Sequence, residues 1–270
     1  MSMRPLHASI EGVGLLGPGL PDWPTAMRVL TGVSSWQPAP PTLPPPLSLP
    51  SAERRRTGDV VRLTLAVGLE ATARAGTDPA TLPAIFSSSG SDAQNCHEIC
   101  EVLASAERQL SPTRFHNSVH NAPAGYWGIA TGCRAAANSL CAHDASFGAG
   151  LLEAFCQVAV DRTPVLLIAY DTSYPPPIGT VRPIPYAFGV ALLLAPARDA
   201  ATVPHIELSW STASADRMED HALEQLRGSV PAARSLPLLN LLARGANGCV
   251  RLDYLDGASI ELKVSNAAGP

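Results

Sequence analysis

The sequence predicts an α/β protein in which helices flank a mixed sheet. Two runs of continuous apolar residues, 165–170 and 188–194, are typical of strands buried on both faces of a sheet. Longer segments with helical spacing of apolar residues alternate with such runs. The chain of 270 residues is 46% hydrophobic and only 16% charged, which indicates extensive buried or interface surface.

The individual elements follow from these patterns in chain order. The predicted helices cover residues 52–75, 92–107, 121–127, 145–160 and 216–226, and the predicted strands cover 84–88, 138–141, 164–170, 188–194, 205–211, 250–254 and 259–264. Asp256-Gly257 between the last two strands is a hairpin turn signal. We expect the strand over 188–194 to be an edge or interface strand. Seven prolines in the segment 38–50 predict a stiff extended connection, which we favour over a docking motif for a proline-reading domain.

The most informative feature is the turn between the strand over 138–141, which we expect to be buried, and the helix that follows. A tight strand-to-helix turn is where enzymes expose a nucleophile, yet the residue on this turn is Asp144, a poor acyl acceptor. Aspartate is among the best helix N-caps, and its charge suits the helix dipole. We therefore favour Asp144 as the cap of the helix over 145–160.

An acyl-transfer site built from the neighbours Cys141, His143 and Ser146 is the second interpretation of this turn. Because side chains alternate along a strand, Asp144 should point away from His143 and could not orient it. Cys141 should lie inside the apolar strand, where a thiol is unreactive. We expect no catalytic residue here.

Four further segments of the chain are informative, namely the opening ASIEGVGLLGPG run, AIFSSSGSD, LSPTRFHNSVHNAPAG and PIPYAFGVALLLAP. Together with the turn at Asp144 they resemble a β-ketoacyl synthase, the condensing enzyme of fatty-acid and polyketide assembly, and the resemblance covers most of residues 5–197. Aligned without a gap from Asn121, Gly132 and Arg134, the family's acyl-accepting cysteine falls on Asp144. The blocks FSSSGSD, HNSVHNAPAGYW and SLCAHDASF are most similar to the short, chain-length-factor-like ketosynthase subunit of aryl polyene pigment clusters.

This resemblance implies a thiolase-like half-fold over residues 1–200 and a short α+β extension over 201–270, to which we assign no role. We expect the family's C-terminal half, with its two catalytic histidines, to be missing beyond Pro270. The implied function is a non-condensing subunit that pairs with a full-length β-ketoacyl-ACP synthase and shapes its acyl tunnel in polyene or aryl polyene synthesis. No cofactor is expected, and a homodimer could form where the partner is absent.

Interface and pocket-gating roles are also implied by the resemblance. In the family, the loop corresponding to residues 111–121 crosses the dimer interface and enters the partner's acyl pocket, and the strand before the turn pairs across a two-fold axis. The residues at these places are Thr113, Arg114, Phe115, His116, His120, Asn121, Asn138, Ser139 and Leu140. The alternative is that Phe115 anchors the core, while His116 and His120 satisfy buried backbone groups.

The basic cluster of Arg54, Arg55 and Arg56 could dock an acidic acyl carrier protein, although a solvated helix end is the favoured interpretation.

A zinc site is suggested by two cysteines and two histidines, namely Cys96, Cys100, His116 and His120. The two pairs would have to meet across an open loop, so we expect no metal and expect both cysteines to be buried on an apolar helix face.

Composition argues against other classes of function. A net charge of −4 gives no basic surface for nucleic acid. No apolar run approaches the ~20 residues that span a bilayer. The absence of an apolar signal core and the scattered cysteines indicate the cytoplasm. Two further functions stay open: a stand-alone enzyme that transfers or hydrolyses carrier-bound acyl groups through Cys141 or Ser146, and a carrier-protein binding module.

Overall fold

The computed structural model describes residues 4–197 and 203–266, which form a mixed sheet of eight strands with helices on both faces. The strands are β1 Leu6–Leu16, β2 Ala84–Ser87, β3 Ala137–Leu140, β4 Val165–Asp171, β5 Phe188–Ala195, β6 His205–Ser211, β7 Gly248–Leu255 and β8 Ala258–Ser265. The helices are α1 Trp23–Leu30, α2 Ser51–Arg54, α3 Asp59–Ala75, α4 Ala93–Ala104, α5 Pro112–Asn117, α6 Ala122–Thr131, α7 Ser146–Asp161, α8 Ile178–Val181, α9 His221–Ser229 and α10 Leu236–Ala243. Short 3-10 turns lie at Pro79–Thr81, His143–Ala145 and Pro231–Ser235.

The sheet has the order β3-β2-β4-β5-β1-β6-β8-β7. Strands β3, β2 and β4 are parallel, and the other neighbours are antiparallel. One face is covered by α7 together with α1, α9 and α10, and the other by α3 and α6. The predicted mixed sheet flanked by helices is therefore confirmed.

Strand β5 is not at an edge, contrary to the prediction. It lies between β4 and β1, and all eight of its residues are buried. Its continuous apolar run reflects burial on both faces in the middle of the sheet. The edges of the sheet are β3 and β7.

Two glycines let β1 lie directly against α3. A Cβ at Gly12 would lie 2.2 Å from the carbonyl oxygen of Ala71, and one at Gly14 would lie 2.0 Å from that of Val67. A side chain at either position would force the strand and the helix apart. This close contact fixes the central strand against the helix that covers it.

Several predicted elements have other bounds. The helix over 52–75 is divided into α2 and α3 by residues 55–58. The helix over 216–226 begins later, as α9, because the Asp220 carboxylate accepts the N–H groups of the second and third helical residues at 2.9 Å each. The loop over 111–121 contains α5, and the buried helix α10 was not predicted.

The C-terminal strands extend the same sheet. Strand β6 pairs with the beginning of β1, β8 pairs with β6, and β7 pairs with β8. The predicted hairpin is confirmed, with Leu255 opposite Ala258 and Gly257 at φ 75°. The predicted boundary between 1–200 and 201–270 falls outside the described residues, and the division into two domains stays a prediction.

The proline-rich segment 38–50 contains neither helix nor strand and is mostly exposed, although Pro46 and Leu49 are buried. This is the behaviour of a surface connection. Across residues 4–197 and 203–266, none of the helices combines the length and the apolar character that a bilayer span requires.

Candidate functional site

The candidate site is the turn between β3 and α7. Strand β3 ends at Leu140, a 3-10 turn spans His143–Ala145, and α7 begins at Ser146. His143 has φ 52°, a left-handed conformation that is uncommon for residues other than glycine. Ser91, Arg108 and Arg162 share this conformation, and residues held in it cluster at functional sites.

Asp144 is the centre of an ion-pair network at this turn. Its Oδ1 accepts a hydrogen bond from Nη2 of Arg182 at 2.7 Å, and its Oδ2 accepts one from Nη2 of Arg234 at 3.1 Å. The predicted N-cap role is wrong, because the cap residue of α7 is Ala145 and no side chain bonds to the first amides of the helix. The 3-10 turn moves Asp144 out of the cap position, and charge-assisted bonds to two guanidinium groups hold the carboxylate instead.

Ser146 has a structural role. It is 1% exposed, its Oγ accepts the N–H of Ala142 at 3.1 Å, and its hydroxyl donates to the carbonyl of His143 at 2.7 Å. Its own carbonyl accepts the hydroxyl of Ser87 at 2.6 Å. A buried hydroxyl with both bonds inside the turn fixes the turn and is not presented to a substrate.

Cys141 and His143 both depart from the prediction. Cys141 is exposed, because β3 ends before it, and its Sγ donates to the carbonyl of Ser89 at 3.1 Å. His143 does not point away from Asp144, since its Nδ1 lies 3.7 Å from Oδ1, and its Nε2 lies 2.5 Å from Nη1 of Arg182. A separation of 3.7 Å is too long for a hydrogen bond, so His143 lacks the oriented carboxylate partner of a catalytic base.

The ion-pair network continues into the C-terminal elements. Nη1 of Arg234 lies 3.9 Å from Oδ1 of Asp253 in β7, and Nη1 of Arg227 donates to Oδ2 of Asp253 at 2.5 Å. Arg227 also donates to both carboxylate oxygens of Glu224, at 2.7 and 2.8 Å. The turn at Asp144 is therefore tied to β7 and α9.

Asp171 is a buried carboxylate at the end of β4. It is 1% exposed and accepts the N–H and hydroxyl of Ser89 at 2.9 and 2.5 Å and the N–H of Ala232 at 2.8 Å. Burial raises the pKa of Asp171 to about 6, against the opposing effect of these hydrogen bonds. The carboxylate joins the parallel strands to the 3-10 turn before α10.

Strand β3 is a free edge of the sheet. Ala137 and Asn138 are exposed, and Ser139 and Leu140 are half-buried, so the predicted burial of this strand is wrong. Within the described residues β3 pairs only with β2, and its other side presents unpaired backbone groups. Such an edge is a template for pairing with another chain.

A groove of about 570 Å³ runs beside this edge. It is lined by His120, Asn121, Glu153 and residues 137–140. Nε2 of His120 and Oγ of Ser139 are buried without a hydrogen-bond partner, so His120 does not use Nε2 to satisfy buried backbone groups. Burial lowers the pKa of His120. Unpaired buried polar atoms are uncommon, and two of them mark this groove.

Phe115 on α5 is 67% exposed, so the alternative that it anchors the core is wrong. Thr113 and Arg114 line a cleft of about 640 Å³ together with Arg55 and Arg56. The structure thus brings the predicted gating loop and the predicted basic cluster to one surface. Arg54 lies on α2 beside it.

The residues considered for zinc do not form a cluster. Cys96 and Cys100 are exposed on α4, contrary to the prediction that they are buried. His116 is exposed and lies edge-on to the ring of Tyr126, with 6.5 Å between the centroids. In the part of the chain that the structure describes, no group of three or more histidine, cysteine, aspartate or glutamate side chains is placed to hold a metal ion.

The sequence analysis missed three residues of the site, namely Arg182, Arg234 and Asp171. The two arginines come from the loop after β4 and the turn before α10, and no spacing connects them with Asp144. Asp171 does have a signal, since it ends a continuous apolar run. A carboxylate at the end of a buried strand can be buried only where hydrogen-bond donors of the protein bind it.

The chain belongs to the β-ketoacyl synthase family. The family model for the N-terminal domain of β-ketoacyl synthases matches residues 31–252, which is most of the chain and extends beyond residue 200. No curated protein sequence matches the chain.

Solved ketosynthase structures share the fold. A ketosynthase (ApeO) in complex with its chain length factor (ApeC) from Xenorhabdus doucetiae superposes with a TM-score of 0.72 and 21% identity, over 96% of this chain and 99% of that chain. AntDE:AntF, a type II polyketide ketosynthase with its acyl-carrier protein, gives 0.73 and 10%, over 98% and 100%. The ishigamide ketosynthase/chain length factor gives 0.70 and 13%, over 98% and 100%. The predicted thiolase-like fold is therefore confirmed.

Proposed function

We propose that this chain is a non-condensing, chain-length-factor-like subunit of a ketosynthase. It pairs with a catalytic β-ketoacyl-ACP synthase in the cytoplasm and shapes the acyl tunnel of that enzyme, in polyene or aryl polyene pigment synthesis. Two of the solved structures with the same fold are assemblies of a ketosynthase and a chain length factor, which supports this class of function.

Asp144 carries the proposal. It stands where the family's acyl-accepting cysteine is expected, and its carboxylate is held by Arg182 and Arg234. Arginine stays protonated in proteins, so both carboxylate oxygens keep a charge-assisted hydrogen bond, which weakens the carboxylate as a nucleophile. A subunit with such a turn can contribute shape and contacts to a condensing enzyme, but no acyl acceptor.

The free β3 edge supports the pairing with another subunit. Helix α6 and the segment before it, which adjoin this edge, expose the apolar side chains of Val119 and Ile129. A partner would cover these side chains and supply hydrogen bonds to the unpaired strand at the same time.

Phe115 supports the tunnel-shaping part of the proposal. This residue is 67% exposed, on the segment that, by resemblance to the family, enters the partner's acyl pocket. Because protein interiors are closely packed, the volume of this one side chain would limit the length of acyl chain that the pocket accepts.

Docking of acyl carrier protein is a second role, favoured by one observation. Arg55 and Arg56 line the same cleft as Thr113 and Arg114, so the predicted basic cluster adjoins the loop expected to reach the partner's pocket. The lining also includes the carboxylates of Asp59, Asp92 and Glu98, and Arg56 and Arg114 are ion-paired with Glu53 and Glu98. An acidic carrier protein held there would be close to the tunnel it loads. Such docking should weaken as salt concentration rises.

A stand-alone acyl-transfer enzyme is the alternative that the geometry favours least. Ser146 is buried with its bonds inside the turn, and His143 contacts Arg182. The thiol of Cys141 is exposed. If the chain is a stand-alone acyl-transfer enzyme, the isolated chain must therefore accept an acyl group on this sulfur.

Co-expression with a full-length ketosynthase from the same genome tests the proposal. Size-exclusion chromatography with mass detection should give a one-to-one complex, and elongation of carrier-bound acyl groups should require both chains. Asp144→Asn should leave the elongation rate per mole of complex unchanged, whereas replacement of the partner's catalytic cysteine should abolish it.

Turnover of acyl-carrier thioesters by this chain alone would refute the proposal. A thiol-reactive acyl probe distinguishes the two cases directly, with Cys141→Ser as the control. Acyl transfer that disappears in that variant would assign the chemistry to Cys141.

A further inference from the structure

The groove beside β3 contains one carboxylate. Glu153 of α7 lines the groove together with residues 120–121 and 137–140, none of which is aspartate, glutamate, arginine or lysine. Its Oε1 accepts hydrogen bonds from Nδ2 of Asn138 at 3.2 Å and Nε2 of Gln157 at 2.9 Å. Among the ion pairs of the described residues, none involves Glu153.

The two amides fix the position of this charge without neutralising it. Asn138 belongs to the free edge strand, and Gln157 lies one helical turn after Glu153 on α7. Amide donors orient a carboxylate but carry no net charge. A negative charge is therefore held at the edge where a second chain would pair.

This charge makes the edge a poor match for a copy of itself. In a homodimer, β3 of one copy would pair with β3 of the other about a two-fold axis perpendicular to the sheet. This symmetry places the α7 helices of both copies on the same face of the joined sheet. Because β3 has only four residues, each about 3.3 Å long, the two Glu153 carboxylates would lie on the order of 10 Å apart. Like charges at this distance, in a groove covered from water, repel each other.

We propose that Glu153 selects the partner at the β3 edge. It disfavours a homodimer of this chain and pairs with an arginine or lysine on the facing edge of a different, ketosynthase-type subunit. The inference rests on the proposed function. It further specifies that the surface of the partner must carry a positive charge opposite Glu153.

Glu153→Gln and Glu207→Gln are matched variants that test this selection. Both remove one carboxylate at constant size, and Glu207 lies on β6, at the far side of the central strands from β3. Analytical ultracentrifugation of the isolated chain should show that Glu153→Gln strengthens homodimer formation roughly tenfold, and titration with the ketosynthase should show a similar loss of affinity. Glu207→Gln should change neither quantity.

Charge reversal provides a second measurement that does not depend on the size of the first effect. Glu153→Lys should abolish the complex with the ketosynthase, and exchanging a basic residue on the facing edge of the ketosynthase for glutamate should restore it. Circular dichroism of each variant confirms that the fold is intact.

The outcomes separate the inference from the proposed function. If wild-type chain and ketosynthase form the complex, and Glu153→Gln and Glu153→Lys form it equally well, then the charge selects nothing and the inference is wrong while the proposed function stands. If the wild-type chain forms no complex at all, the proposed function itself is refuted.

Discussion

Arg182 donates to Asp144 at 2.7 Å and thereby joins the loop after β4 to the turn before α7. The same carboxylate accepts a hydrogen bond from Arg234, in the turn before α10. Three segments that are distant in sequence therefore meet at one aspartate. At the position where the family is expected to place its acyl acceptor, this chain has a tertiary link.

Asp144→Ala should lower the free energy of unfolding by about 1–2 kcal/mol, because two guanidinium groups lose their carboxylate. The side chain of Asp144 is 40% exposed, so water screens the pairs and keeps the effect below that of a fully buried ion pair. Urea unfolding followed by circular dichroism measures the change. Asp161→Asn, at the exposed end of α7, should shift the same free energy by less than about 0.5 kcal/mol, and equal losses in the two variants would contradict the prediction.

Asp171 should give stability a pH dependence below neutrality. Its pKa is about 6 in the folded protein against an ordinary value of 3.8, so the folded state binds the proton more tightly than the unfolded state. The contribution of this group to stability should therefore fall as pH rises from about 4 to about 6 and stay constant above that. Asp171→Asn should flatten this part of the curve, on top of a constant loss from the unpaired N–H of Ala232. Urea titrations across this pH range test it, and a slope identical in both proteins would exclude Asp171 as its source.

Gly14→Ala and Gly228→Ala should have opposite effects on thermal stability. At Gly14 the new Cβ would lie 2.0 Å from the carbonyl oxygen of Val67, which should cost about 3 kcal/mol or more or prevent folding. Gly228 lies on α9 with no atom within 4 Å of a new Cβ, so alanine there should stabilise the helix by up to about 1 kcal/mol. A Gly14→Ala protein that melts like the wild type would show that β1 and α3 do not touch at this point.

Phe115→Ala should lengthen the products of the complex with the ketosynthase, and Phe115→Trp should shorten them. Leu103→Ala provides the control, since Leu103 is a similarly exposed apolar residue on α4. Mass spectrometry of carrier-bound products gives the chain length, and chromatography verifies that each variant still forms the complex. Unchanged acyl-chain lengths in both Phe115 variants would show that this loop does not shape the tunnel.

The fold class was accessible from the sequence because hydrophobic periodicity is a local property. The runs that became β4 and β5 were identified as strands, yet their order in the sheet was not, since burial alone does not say which neighbours provide it. Strand β5 was expected at an edge and lies in the centre. Strand β3 was expected to be buried and is an exposed edge, since within the described residues only β2 pairs with it.

The role of Asp144 at the turn before α7 was predicted wrongly, and the functional roles of the other site residues stay predictions. Capping preference is also local, and it favoured Asp144 as an N-cap. Two arginines from segments distant in sequence bind the carboxylate instead, and no sequence pattern near Asp144 predicts these contacts. Residues that act through long-range contacts can be identified only from the folded structure.

The central position of β1 has a consequence for how the protein is made. Its two sheet partners, β5 and β6, are synthesised long after it. At typical elongation rates of ~5–20 residues per second, this mostly apolar strand waits on the order of 10 s for its first partner in the sheet, although α3 is made earlier. Such late closure gives a high contact order and slow folding, and it leaves the nascent chain open to aggregation. Chaperone supply and growth temperature should therefore determine how much of this protein reaches the folded state in a producing cell.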